Sequence, residues 1–144
     1  MVKNSQNFIP YFVITESHLH QDVFDAEINI PNYNVYRADR VERKCGGTAI
    51  YVHENIVVNS KDTYSDSTCE CLMLKNDHLN FILIGVYKPP DAPNLDTSFK
   101  KCTQAIDDFI KKHNDKSDII LMGDLNLPNI VWDVREIKRR KSRL

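Results

Sequence analysis

Ile119-Ile120-Leu121-Met122-Gly123-Asp124-Leu125-Asn126-Leu127-Pro128 is the stretch from which the fold is read. Four consecutive apolar residues of strand length predict a strand buried on both faces, and the Gly-Asp that follows ends it abruptly. Working back toward the N-terminus, Phe99, Cys102, Ile106, Phe109 and Ile110 recur at helical spacing. The spacing predicts a helix over residues 97–113, with Asp96 or Thr97 as its cap and Lys111-Lys112 near its C-terminus. Before the helix, residues 81–87 read as a strand that stops at Pro89-Pro90, since proline cannot donate to a ladder. Residues 69–74 read as its hairpin partner across the polar turn Lys75-Asn76-Asp77-His78. Further back, Gly46-Gly47 turns the chain into the strand-like Thr48-Ala49-Ile50-Tyr51-Val52. Residues 11–15 form another β-rich run, after which Thr15-Glu16-Ser17 reads as the end of a strand and the start of a short helix. Strands interleaved with one long helix indicate an α/β class in which helices cover sheets.

The rest of the composition bounds the function. At 144 residues, 42% hydrophobic and 27% charged, the chain is expected to form one globular domain with a core large enough to need no staple. No apolar run approaches the ~20 residues of a membrane helix, and the polar Met-Val-Lys-Asn-Ser-Gln-Asn start does not read as a signal peptide. An intracellular protein, nuclear or cytoplasmic, is therefore expected. Cys45, Cys69, Cys71 and Cys102 fit free thiols, with no Cys or His pairing at zinc-finger spacing.

The net charge of −1 is unevenly spread. Residues 135–144 hold six of the 19 basic side chains and one of the 20 acidic ones, so residues 1–134 carry 13 basic and 19 acidic groups, a net of −6. This divides the chain into a domain over 1–134 and a basic tail over 135–144, in which Arg139, Arg140 and Lys141 are candidate nucleic-acid contacts.

Glu16, Tyr87, Asp124 and Asn126 all fall directly after predicted strands, the position at which layered α/β proteins present side chains to a ligand. In an extended segment Asp124 and Asn126 would project to the same side and offer oxygens to a water, a divalent ion or a phosphate. Thr15-Glu16-Ser17, Arg37-x-Asp39-Arg40 with Gly46-Gly47, Gly85-Val86-Tyr87-x-Pro89-Pro90, and Gly123-Asp124-Leu125-Asn126-Leu127-Pro128 with Trp132 occur in the order of a known domain. The chain resembles the endonuclease/exonuclease/phosphatase superfamily, and within it the apurinic-type endonuclease domain of jockey-like non-LTR retrotransposons. That resemblance implies a two-sheet, DNase I-like α/β sandwich, incomplete at both ends, and Mg²⁺-dependent phosphodiester hydrolysis on DNA, with Mn²⁺ as a substitute ion. It further implies that Glu16 binds the metal, that Tyr87 contacts a phosphate oxygen, and that Asp124 and Asn126 orient the attacking water and the phosphate. Arg37 and Arg40 match a further motif and are candidate nucleic-acid contacts, and a reverse-transcriptase domain is the implied partner in the parent element. The family's first strand ends in an Asn that has no counterpart here, and its closing Ser-Asp-His motif is missing, the last histidine being His113. Impaired nicking is expected on that account. The alternatives are a non-catalytic nucleic-acid-binding relic and a phosphatase acting on small phosphate esters.

Overall fold

The computed structural model describes residues 9–39, 46–90, 95–113 and 116–127. Arg40, Cys45, Trp132 and the tail with Arg139, Arg140 and Lys141 lie outside those residues.

Among the described residues, seven strands and one long helix follow in the order β1 (Tyr11–Thr15), β2 (Tyr33–Ala38), β3 (Thr48–His53), β4 (Ser60–Ser65), β5 (Glu70–Asn76), β6 (Phe81–Tyr87), α1 (Leu95–His113) and β7 (Asp118–Asp124), with a 3-10 turn over Asp25–Ile28. β1, β3 and β2 form an antiparallel sheet in that order. The second sheet runs β4-β5-β6-β7; its first three strands are antiparallel, and β7 joins β6 in parallel after the α1 crossover.

Alternation along β5 and β6 sorts the core into two layers. Leu72, Leu74 and Leu83 face the other sheet and pack with Ala38, Ile50 and Val52. Cys71, Met73, Ile82, Ile84 and Val86 face the opposite way and pack under Cys102 and Phe109 of α1. Gly85 lets the sheets close, since a Cβ there would lie 3.0–3.2 Å from Thr48, Ile50 and Val13 side chains. The result is a two-sheet α/β sandwich.

Three expectations are corrected. The strands buried on both faces are β3, β5 and β6, whereas β7 exposes Ile119 and Leu121 by 50% and 53%. The cause is placement: among the described residues β7 is last in its sheet and α1 lies over β5 and β4, so that within that part of the chain only Ile120 and Met122 of β7 reach a core layer. No helix starts at Glu16, which has a left-handed backbone (φ 53°). Helix α1 begins at Leu95, so residues 96 and 97 lie inside it rather than at its cap.

Candidate active site

The register brings the singled-out residues to one end of the sandwich. Thr15 pairs with Thr48, so Glu16 leaves β1 beside the start of β3. Tyr87, the last residue of β6, pairs with Glu70 on one side and with Asp124 on the other. Tyr87 is 4% exposed, and its hydroxyl donates to Glu16 Oε1 at 2.6 Å, joining residues 71 positions apart.

The β6 and β7 ends are laced together beyond their last pair. Lys88 N donates to the Asp124 carbonyl at 2.9 Å, and Asn126 Nδ2 donates to the Lys88 carbonyl at 2.9 Å. Asn126 N donates to Asp124 Oδ1 at 2.9 Å, an Asx turn that fixes the carboxylate. Asn126 itself has φ 44°, so the segment turns there instead of staying extended, and Asp124 and Asn126 meet by turning rather than by strand alternation. Gly123 is obligatory at this turn: it has φ 144°, and a Cβ would lie 1.8 Å from the Val86 carbonyl oxygen. Asp124 and Asn126 line an open cleft of about 550 Å³ with Val86, Pro90, Met122 and Leu127. Glu16 and Tyr87 adjoin it through the Tyr87–Asp124 register rather than lining it.

A hard divalent ion such as Mg²⁺ takes one or two carboxylates and completes its shell with water and substrate oxygens. Glu16 is exposed, and its Tyr87 hydrogen bond uses Oε1 and leaves Oε2 as a hard donor. Among the described residues no three His, Cys, Asp or Glu side chains are grouped to hold a metal. The donor set therefore fits an ion held by one carboxylate with water, and not an all-protein cage.

Arg37 pairs with Ala49 near the same end of the three-stranded sheet, and its donors are fully engaged within the protein. Its Nε and one Nη bond the two Asp39 oxygens, and the remaining donors go to the His20 and Val23 carbonyls and to Asp25 Oδ1 at 3.1 Å. All five donors meet protein acceptors. The Asp39 hydrogen bond, followed by contacts with Asp25, holds the guanidinium above its ordinary pKa.

Sequence reasoning missed Glu70. It is 0% exposed at the start of β5, opposite Tyr87, and its Oε2 accepts the Gly47 backbone N–H. The available signal was a lone carboxylate inside the apolar run Cys69-Glu70-Cys71-Leu72-Met73-Leu74.

No family model matches the chain, and no curated protein matches it. Solved structures do. TDP2 from C. elegans superposes with a TM-score of 0.59 at 19% identity, covering 82% of this chain and 38% of that one. A truncated C. elegans TDP2 gives 0.57 at 19% identity, over 83% and 50%. D. rerio TDP2 complexed with single-strand DNA product gives 0.54 at 13% identity, over 82% and 48%. The chain thus spans half or less of the proteins it resembles, and what it shares with them is the DNase I-like fold, here an incomplete α/β sandwich.

Proposed function

We propose that the chain is the catalytic portion of a metal-dependent phosphodiesterase that nicks DNA. The observation that carries the reading is the Tyr87–Glu16 hydrogen bond at 2.6 Å in a register that sets Tyr87 beside Asp124, because it gathers a metal-binding carboxylate, a phosphate-contacting phenol and a base at one edge. Glu16 holds Mg²⁺ or Mn²⁺, which when bound supplies Lewis-acid stabilisation of charge on the phosphate. Asp124, its carboxylate fixed by Asn126 N, takes the proton of the attacking water. Asn126 keeps that carboxylate in place through its hold on Lys88, and Tyr87 donates to a phosphate oxygen in exchange for Glu16. A DNA product in D. rerio TDP2 supports DNA as the substrate of this fold. The Tyr87-Lys88-Pro89-Pro90 and Asn126-Leu127-Pro128 motifs support a retroelement endonuclease, with a reverse-transcriptase domain as partner in the parent element and a nuclear or cytoplasmic site of action.

Nicking of supercoiled plasmid with Mg²⁺ tests the reading. Slow nicking is expected, abolished by chelation and lowered about 10²- to 10⁴-fold in Asp124→Ala. Nicking that survives chelation or Asp124→Ala overturns it, and DNA binding without any nicking leaves the non-catalytic relic in its place.

A further inference from the structure

Glu16 holds a left-handed backbone without being glycine, and so does His18 at φ 55°. Such conformations are strained for a residue with a Cβ and persist where surrounding structure imposes them. What imposes them here is the glycine pair before β3: Ser17 N donates to the Gly47 carbonyl at 3.1 Å, and His18 N donates to the Gly46 carbonyl at 2.8 Å. The pair is itself tightly constrained. Gly47 has φ 88°, and a Cβ there would lie 2.6 Å from Ser17 Oγ. Its N–H is taken by Glu70 Oε2, from a side chain with no exposed surface.

These contacts close a ring. From Glu70 it runs to Gly47, across to Ser17, back one residue to Glu16, from the Glu16 carboxylate to the Tyr87 hydroxyl, and across the β5–β6 pair to Glu70 again. Burying a carboxylate costs several kcal/mol unless hydrogen bonds compensate it, so an apolar residue would be the favourable choice for packing alone at this position. Thr48 Oγ1 and Ser17 Oγ are also buried at this end, with no hydrogen-bond partner among the described residues. The interior beneath Glu16 is therefore polar, unlike the leucine layer that continues from it.

We propose that Glu70 is a positioning residue for Glu16: by accepting the Gly47 N–H it fixes the Gly46-Gly47 turn, and through that turn the left-handed backbone that aims the Glu16 carboxylate at Tyr87 and at the metal. The proposal rests on the metal-binding role of Glu16 given above. Glu70 touches neither metal nor substrate in this scheme and acts on Glu16 through the Gly46-Gly47 turn.

Amide hydrogen exchange at Gly47, Ser17 and His18, together with calorimetric titration of Mn²⁺, tests it on Glu70→Gln, Glu70→Leu and, as a control, Glu16→Ala. Glutamine keeps an acceptor for Gly47, so Glu70→Gln should retain protection and Mn²⁺ affinity within about threefold. Leucine removes the acceptor. Glu70→Leu should speed Gly47 and Ser17 exchange by about tenfold or more, as expected for a lost local hydrogen bond, and weaken Mn²⁺ binding in parallel. Should Glu70→Leu fail to fold, Glu70→Asp takes its place, since its shorter side chain withdraws the acceptor. Unchanged exchange in a folded Glu70→Leu or Glu70→Asp overturns the proposal, as does a Glu70→Gln that behaves like Glu70→Leu. An unchanged Mn²⁺ affinity in Glu16→Ala overturns the metal reading instead, and the exchange rates still decide whether Glu70 sets the turn.

Discussion

Arg37 and Asp66 show how single polar residues hold the loops that connect the strands. Arg37, with 13% of its side chain exposed, gathers the 20–25 segment and Asp39 onto β2 through five hydrogen bonds. A phosphate could reach it only by displacing one of those acceptors, and lysine could not reproduce the planar fork. Asp66 does comparable work between β4 and β5, accepting from Tyr64 OH at 2.7 Å, Thr68 N at 2.8 Å and Cys69 N at 2.9 Å, and from the Thr68 hydroxyl. Burial by itself would raise the Asp66 pKa, but the hydrogen bonds from Thr68, Tyr64 and Cys69 outweigh it and hold the carboxyl below the ordinary range. The folded state therefore binds fewer protons here than the unfolded one. The resulting stabilisation is fully present above the unfolded carboxyl pKa of about 3.9 and is lost as pH falls through the lower folded value. Asp66→Ala should cost about 1–3 kcal/mol near neutral pH. Urea midpoints of the variant and the parent should converge below about pH 4, and a gap that stays constant into acid would show that Asp66 is not ionised in the fold.

At the scale of elements, helix α1 is fastened to the sheet by a few side chains. Phe109 is 2% exposed beneath it, with the His113 ring 4.4 Å away, and Cys102 is buried with its sulfur 3.0 Å from that of Cys69. That hydrogen bond, together with burial, pushes the Cys69 thiol up. Since α1 is the crossover that permits β7 to pair in parallel with β6, its docking fixes the strand that carries Asp124. Phe109→Ala should cost about 3–5 kcal/mol, lowering the thermal midpoint while far-UV circular dichroism still reports a folded chain at low temperature. A loss under about 1 kcal/mol would mean that the helix is held elsewhere. The elements that were legible in the sequence are β1, β3, β5, β6 and α1, whose burial writes a pattern, and β7, whose apolar run marks a strand although one of its faces is exposed. β4 was not, because Ser-Lys-Asp-Thr-Tyr-Ser is an edge strand with mostly exposed side chains, and without a buried face no alternation appears. The site divides in the same way. Glu16, Tyr87, Asp124 and Asn126 were visible as strand-end residues. The left-handed backbone of Glu16 and the burial of Glu70 were not, since each depends on a Gly46-Gly47 turn more than 20 residues away in sequence.

Across the whole molecule, the charge distribution sets a problem for any protein that works on DNA. Residues 1–134 carry a net of −6, and Arg37, the cation singled out within the described body, spends its donors inside the protein. A body of that sign repels phosphate at long range, over a distance of about 8–10 Å at ordinary ionic strength, and short-range contacts at the cleft act only after that approach. The six basic side chains of residues 135–144 are the compensating charge. Each phosphate they neutralise releases counterions and steepens the dependence of binding on salt by about 0.9 in log K against log salt. Deleting residues 135–144 should therefore weaken DNA binding by at least tenfold at low salt and flatten that slope, while leaving nicking by pre-bound enzyme at its parental rate. Fluorescence anisotropy with a labelled duplex over a series of salt concentrations measures both quantities. If the shortened chain kept its affinity and its slope, the attraction would have to arise at the cleft itself. In that case neutralising Glu16 and Asp124 should strengthen binding without metal, because in the proposed mechanism those two carboxylates would face the phosphate and an ion at Glu16 would offset part of their charge.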